Sequence, residues 1–120
     1  MAQKILIIDD APDFVQLLES RLKLSNYDVV VAFDGKTGLE LAKKEIPDLV
    51  ILDVVMPGMD GFEVLKVFKG SFETSAIPVI MLTQKRDSES ILDAQELGAV
   101  DYISKPFDPE ELLKLIRRYI

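Results

Sequence analysis

The chain has 120 residues, 48% of them hydrophobic and 29% charged, with a formal net charge of −7. That is the size and composition of one ordinary folded domain spanning residues 1–120, large enough to bury one core. The absence of cysteine and histidine excludes disulfides, thiol chemistry and imidazole general bases and leaves oxygen ligands for any metal ion, while the acidic balance argues against nucleic-acid binding by this chain alone.

The first apolar run, residues 5–8, reads as a buried strand. It is too short for a signal-peptide core, and no apolar run in the chain is long enough to span a bilayer. A cytoplasmic setting without membrane contact is therefore expected. An amphipathic helix follows over about residues 12–24, then a strand at 28–32 and a helix near 36–45. The third pair is a strand at 49–52 and a helix near 61–69, the fourth a strand at 78–82 and a helix near 87–97. The last pair is a strand at 100–104 and a helix at 109–119, and residues 70–76 look like a longer loop. Strand and helix alternate five times, which predicts an α/β fold: one parallel sheet with helices on both faces. Strands buried on both sides read as continuous apolar runs, as these do. Asp60 with Glu63 resembles a capping box. Asp108, Pro109 and Glu111 give an N-cap, a first-turn proline and an acid for the last helix. Gly98 stands where a helix stops, and Pro57-Gly58 marks a turn.

In an open parallel sheet, ligands bind beyond the carboxyl ends of the strands. Asp9 and Asp10 follow the first strand, Asp53 the third and Thr83 the fourth, and Lys105 with Pro106 ends the fifth. Each residue alone is as readily a cap or turn residue. Together they bring three carboxylates, a hydroxyl and an ammonium to one sheet edge. Clustered carboxylates repel, and a hard divalent ion would neutralise them. A carboxylate is also a competent nucleophile toward phosphorus. Phosphoryl transfer needs mainly positioning and charge neutralisation, which a metal and a lysine supply.

Four blocks carry a family resemblance: Ile-Leu-Ile-Ile-Asp9-Asp10; Asp48-Leu-Val-Ile-Leu-Asp53-Val-Val-Met-Pro57-Gly-Met-Asp60-Gly61; Pro78-Val-Ile-Met-Leu-Thr83; and Gly98-Ala-Val-Asp-Tyr102-Ile-Ser-Lys105-Pro106-Phe107. With these the whole chain resembles the response regulator receiver domain of bacterial two-component systems, and among them the chemotaxis regulators. The resemblance implies a doubly wound (βα)5 domain of strand order 2-1-3-4-5. It implies that Asp53 accepts a phosphoryl group from a histidine kinase or phosphotransfer protein. Mg²⁺ or Mn²⁺ would be held by Asp10, by Asp9 directly or through water, by Asp53 and by the backbone carbonyl of Val55. Thr83 would be the switch hydroxyl, Lys105 the phosphate partner, Tyr102 the switch aromatic, and Lys105-Pro106 a cis peptide. The product would be a phosphorylated protein that switches its binding to a downstream protein target. Such a domain is not an enzyme beyond its own phosphorylation and dephosphorylation. The first helix, residues 13–24, would be the docking face for kinases.

The chain also departs from the family pattern. Val55 and Lys85, two residues after Asp53 and Thr83, occupy positions that tune the lifetime of the phosphoryl group in the family. Gln84 stands where small residues are usual and would narrow the site or alter the movement of Thr83. Ile91, Leu92 and Asp93, in the middle of the fourth helix, do not match the basic residue of charge-paired dimers, so a monomer or weak dimer is expected. Four rivals compete. An aspartate-based phosphatase would place a second acid two residues after its nucleophile, where Val55 stands instead. Gly35-Lys36-Thr37 imitates the end of a phosphate-binding loop, but Val30 replaces the glycine that loop requires, so it reads as a helix start. A flavin-binding relative of the fold would place its phosphate against Asp9, Asp10 and Asp13, which repel it. A pseudo-receiver, a protein-binding module that is never phosphorylated, conflicts with the intact acid, threonine and lysine set.

Overall fold

Side-chain alternation along the strands divides the core into two layers. The structure, a computed structural model, describes residues 2–83 and 88–120, with backbone alone for 88–91. Its elements run β1 (Lys4–Ile8), α1 (Pro12–Leu24), β2 (Asp28–Ala32), α2 (Gly35–Glu45), β3 (Leu49–Asp53), α3 (Gly61–Gly70), β4 (Val79–Thr83), α4 (Ser88–Glu96), β5 (Asp101–Ser104) and α5 (Pro109–Tyr119). The strands form one sheet in the order β2-β1-β3-β4-β5, and every pairing is parallel. Successive side chains on a strand face opposite ways. Leu6, Ile8, Val50 and Leu52 thus pack on one face with Val64, Leu65 and Phe68 of α3. Ile5, Ile7, Leu49 and Ile51 pack on the other with Val15 and Leu18 of α1 and Leu112 and Ile116 of α5. All five residues of β3 and of β4 are buried, which explains why each is apolar up to its last residue, Asp53 or Thr83. The edge strand β2 is only partly buried.

The sheet register sets the site. Ile8 pairs with Leu52, so the next residue, Asp9, comes level with Asp53. Asp53 pairs with Leu82, and Thr83 with Ser104. Asp53 and Thr83 are the last residues of their strands and continue the ladder one residue beyond the ends expected from sequence, because a polar side chain does not interrupt backbone pairing.

The helix starts follow their caps. The Asp34 carboxylate accepts from the Thr37 N–H at 2.8 Å and from its hydroxyl at 3.0 Å, so Gly35-Lys36-Thr37 opens α2. Asp60 accepts from the Glu63 N–H at 3.0 Å, and Asp108 from the Glu110 N–H at 3.0 Å. Gly58 has φ +79° in the turn after Pro57, and Gly98 has φ +99° after α4, both in the left-handed region that glycine enters without penalty. Gly61 matters for another reason. A side-chain carbon there would run into the Asp53 carbonyl oxygen and stand 2.7 Å from Val54 Cα. The first residue of α3 is pressed against the backbone that carries Asp53.

Candidate functional site

Asp9 is wholly buried, and both of its oxygens have partners. Oδ1 accepts from the Ala11 N–H at 3.0 Å, tying the end of β1 to the start of α1. Oδ2 accepts from Lys105 Nζ at 2.8 Å. Lys105 reaches in from the loop after β5, where the Lys105–Pro106 peptide is cis. The same ammonium stands 3.6 Å from Asp53 Oδ1. Asp53 is 5% exposed, whereas Asp10 is open to solvent. Asp9, Asp10 and Asp53 each offer an oxygen, and these lie within 4.8 Å of one another. The structure thus brings together Asp9, Asp10, Asp53 and Lys105 as the strand ends suggested.

Burial pushes the Asp53 carboxyl up from 3.8 to about 6, and the Asp9 charge adds to the rise. Lys105 and the Val55 N–H pull the other way, and Asp10 adds a smaller upward push. Among the described residues, one ammonium faces these three carboxylates and does not balance them. A small divalent cation does, and hard ions of this kind take oxygen ligands. The donor set therefore fits such an ion, with Asp9, Asp10 and Asp53 as the side chains able to hold it.

Thr83 is buried at the end of β4, the strand adjacent to that of Asp53. Tyr102 is half-buried on β5, opposite Met81 of β4. It packs against the core layer that contains Val64 and Phe68. The Val55 side chain is 54% exposed. Gln84 and Lys85 lie outside the described residues, as does the Ile91 side chain. Leu92 is exposed on α4.

Sequence reasoning missed Phe14. Its ring lies under the Lys105 ammonium, 4.4 Å from Nζ to the centroid. Phe107 meets that ring edge-on, with centroids 5.9 Å apart and planes at 89°. Helical periodicity marks Phe14 only as a partly buried position and carries no signal of a lysine 91 residues further along the chain. Phe14, Leu17, Leu18, Pro106, Phe107 and Pro109 also line an open apolar groove of about 550 Å³ that borders Lys105.

Residues 5–117 match the family model described as the response regulator receiver domain. A probable transcriptional regulator, ycf27, of Porphyridium aerugineum is 44% identical over 115 residues, covering 96% of this chain and 47% of the relative. The chain thus spans about half the length of that curated relative. The chemotaxis protein CheY4 of Vibrio cholerae superposes with a TM-score of 0.95 at 34% identity, covering 100% of both chains. The receiver domain of a sensor histidine kinase from Pseudomonas aeruginosa PAO1, solved with a magnesium ion coordinated in its active-site cleft, superposes with a TM-score of 0.90 at 25% identity. That match covers 99% of this chain and 98% of the other.

Proposed function

The chain belongs to the response regulator receiver domain family, and on that premise we propose that Asp53 accepts a phosphoryl group in a reaction that depends on a divalent metal. One observation carries this reading: the buried Asp53 carboxylate lies beside Asp9 and Asp10, with the Lys105 ammonium 3.6 Å away. A carboxylate oxygen of Asp53 attacks the phosphorus of the donor. The bond from phosphorus to the leaving group breaks, and the leaving group departs with that electron pair. Hydrolysis later returns the free carboxylate and inorganic phosphate. The donor would be a histidine kinase or a phosphotransfer protein, in keeping with the family.

Asp9, Asp10 and Asp53 and, by family resemblance, the Val55 carbonyl would hold Mg²⁺, which would supply charge neutralisation for an approaching phosphate. Lys105 takes part of the new negative charge through a charge-assisted hydrogen bond. Thr83 offers its hydroxyl to a phosphoryl oxygen, and Tyr102 on the neighbouring strand responds to its movement. The consequence is altered binding of a protein target at the face formed by α4, β5 and α5. On that face the single hydroxyl proton of Tyr119 is shared between the Val100 carbonyl and Asp101 Oδ2, each 2.9 Å from Oη, fastening α5 to β5. The groove between α1 and the loop after β5 supports docking of the phosphodonor beside Lys105. The domain acts on itself alone and turns over no separate substrate, in the cytoplasmic setting expected from its sequence.

Incubation with a small acyl phosphate and Mg²⁺ tests the reading. A folded protein that gains one phosphoryl group supports it, and one that gains none leaves the pseudo-receiver alternative.

A further inference from the structure

Phe14 has no part in the chemistry above, yet it holds a side chain that does. Lysine is a compact charge on a flexible four-carbon stem, strongly attracted to water. An ammonium meant to meet a phosphoryl group must be kept where that group forms, and flexibility works against this. In this protein one ammonium is shared by Asp9 at 2.8 Å, Asp53 at 3.6 Å and the Phe14 ring at 4.4 Å. The face of an aromatic ring attracts a cation at that distance, and more strongly where water is excluded. The Lys105 side chain retains only 15% of its exposure. The ring is itself fixed by the edge contact from Phe107, two residues beyond Lys105. The first turn of α1 and the loop after β5 therefore clasp each other through two rings, with the lysine against one of them.

We infer that Phe14 is a positioning residue for Lys105, its ring keeping the ammonium within reach of Asp53 as the phosphoryl group arrives. The inference rests on the phosphoryl reading of the site. It assigns to α1 a second contribution besides a docking face. The ring would be replaceable by another ring and not by an aliphatic side chain of similar volume.

Two variants and two readouts test it in the full chain. Phe14→Leu keeps the apolar character of the groove and removes the π face, while Phe14→Tyr keeps the ring. The first readout is the rate of phosphoryl uptake from acetyl phosphate at saturating Mg²⁺. The second is the NMR shift of the Lys105 ε-methylene protons, which a ring held against the ammonium moves upfield. The expected result is uptake slowed about 3- to 10-fold in Phe14→Leu, with the upfield shift lost. Phe14→Tyr is expected to retain both the parental rate and the shift. Parental uptake by Phe14→Leu overturns the inference while leaving the phosphoryl reading intact. So does slowed uptake with unmoved Lys105 protons, because the effect then bypasses the lysine. Equal slowing in Phe14→Tyr overturns it as well. A parent protein that takes no label on Asp53 removes the reading beneath the inference, and the inference with it.

Discussion

Lys105 Nζ is nearer to Asp9, at 2.8 Å, than to Asp53, at 3.6 Å. The buried carboxylate of Asp9 therefore anchors the lysine, and the proposed acceptor has the weaker share of it. A phosphoryl group on Asp53 would shift that balance, drawing the ammonium from one carboxylate toward the other.

The pair also bears on stability. Removing the ammonium, as in Lys105→Met, leaves Asp9 buried without its cation. Breaking buried ion pairs is strongly destabilising, and the residual exposure of Lys105 places the expected loss at roughly 2–3 kcal/mol. Urea denaturation with a chelator present measures it, and added Mg²⁺ should restore much of the loss.

Asp53 gives a pH dependence of defined sign. Its carboxyl is raised from 3.8 to about 6 in the folded protein, so between those values the folded chain binds more protons than the unfolded one. The contribution to stability is complete below the unfolded value and is lost as pH rises to about 6. It amounts to roughly 2–3 kcal/mol in metal-free buffer. Asp53→Asn should remove this dependence and be the more stable protein at neutral pH. Denaturation midpoints of the two proteins between pH 4 and pH 7, with chelator, provide the check.

Gly61 and Gly58 should respond differently to alanine. At Gly61 the added carbon meets the Asp53 carbonyl and Val54 Cα, so backbone must move, at about 3 kcal/mol. At Gly58 nothing lies within 4 Å of the added carbon. The penalty there is that of a positive φ alone, about 1 kcal/mol. Thermal unfolding of the two variants distinguishes them. Phosphoryl uptake should fall in Gly61→Ala and stay near the parental rate in Gly58→Ala.

Val55 sets a prediction about signal lifetime. Its side chain is exposed beside the site and has no polar atom to orient an attacking water. Val55→Asn should therefore lose its phosphoryl group faster than the parent, as followed by intact mass after removal of the donor. Equal or slower loss contradicts this role for Val55.

Much of this site was legible in sequence because parallel strands end where their apolar runs end. Asp9, Asp10, Asp53 and Lys105 follow such runs, and the register of β1 against β3 turns that shared position into proximity. Fold order came with the family resemblance, since alternation alone specifies a parallel sheet and not the sequence of its strands. The strands reach Asp53 and Thr83, one residue beyond their apolar runs, because side-chain polarity changes before backbone pairing stops. Phe14 was not legible as a partner of Lys105. Amphipathic spacing reports which side of a helix is covered, and only the tertiary approach of α1 to the loop after β5 shows what covers it.

The central claim is that Asp53 is the phosphoryl acceptor of a metal-dependent site. Intact-mass analysis of the parent and of Asp53→Asn, each incubated with acetyl phosphate with and without Mg²⁺, tests it most directly. The expected result is one phosphoryl group on the parent only when Mg²⁺ is present and none on Asp53→Asn. Labelling that persists in Asp53→Asn, or that proceeds equally well in chelator, would contradict it.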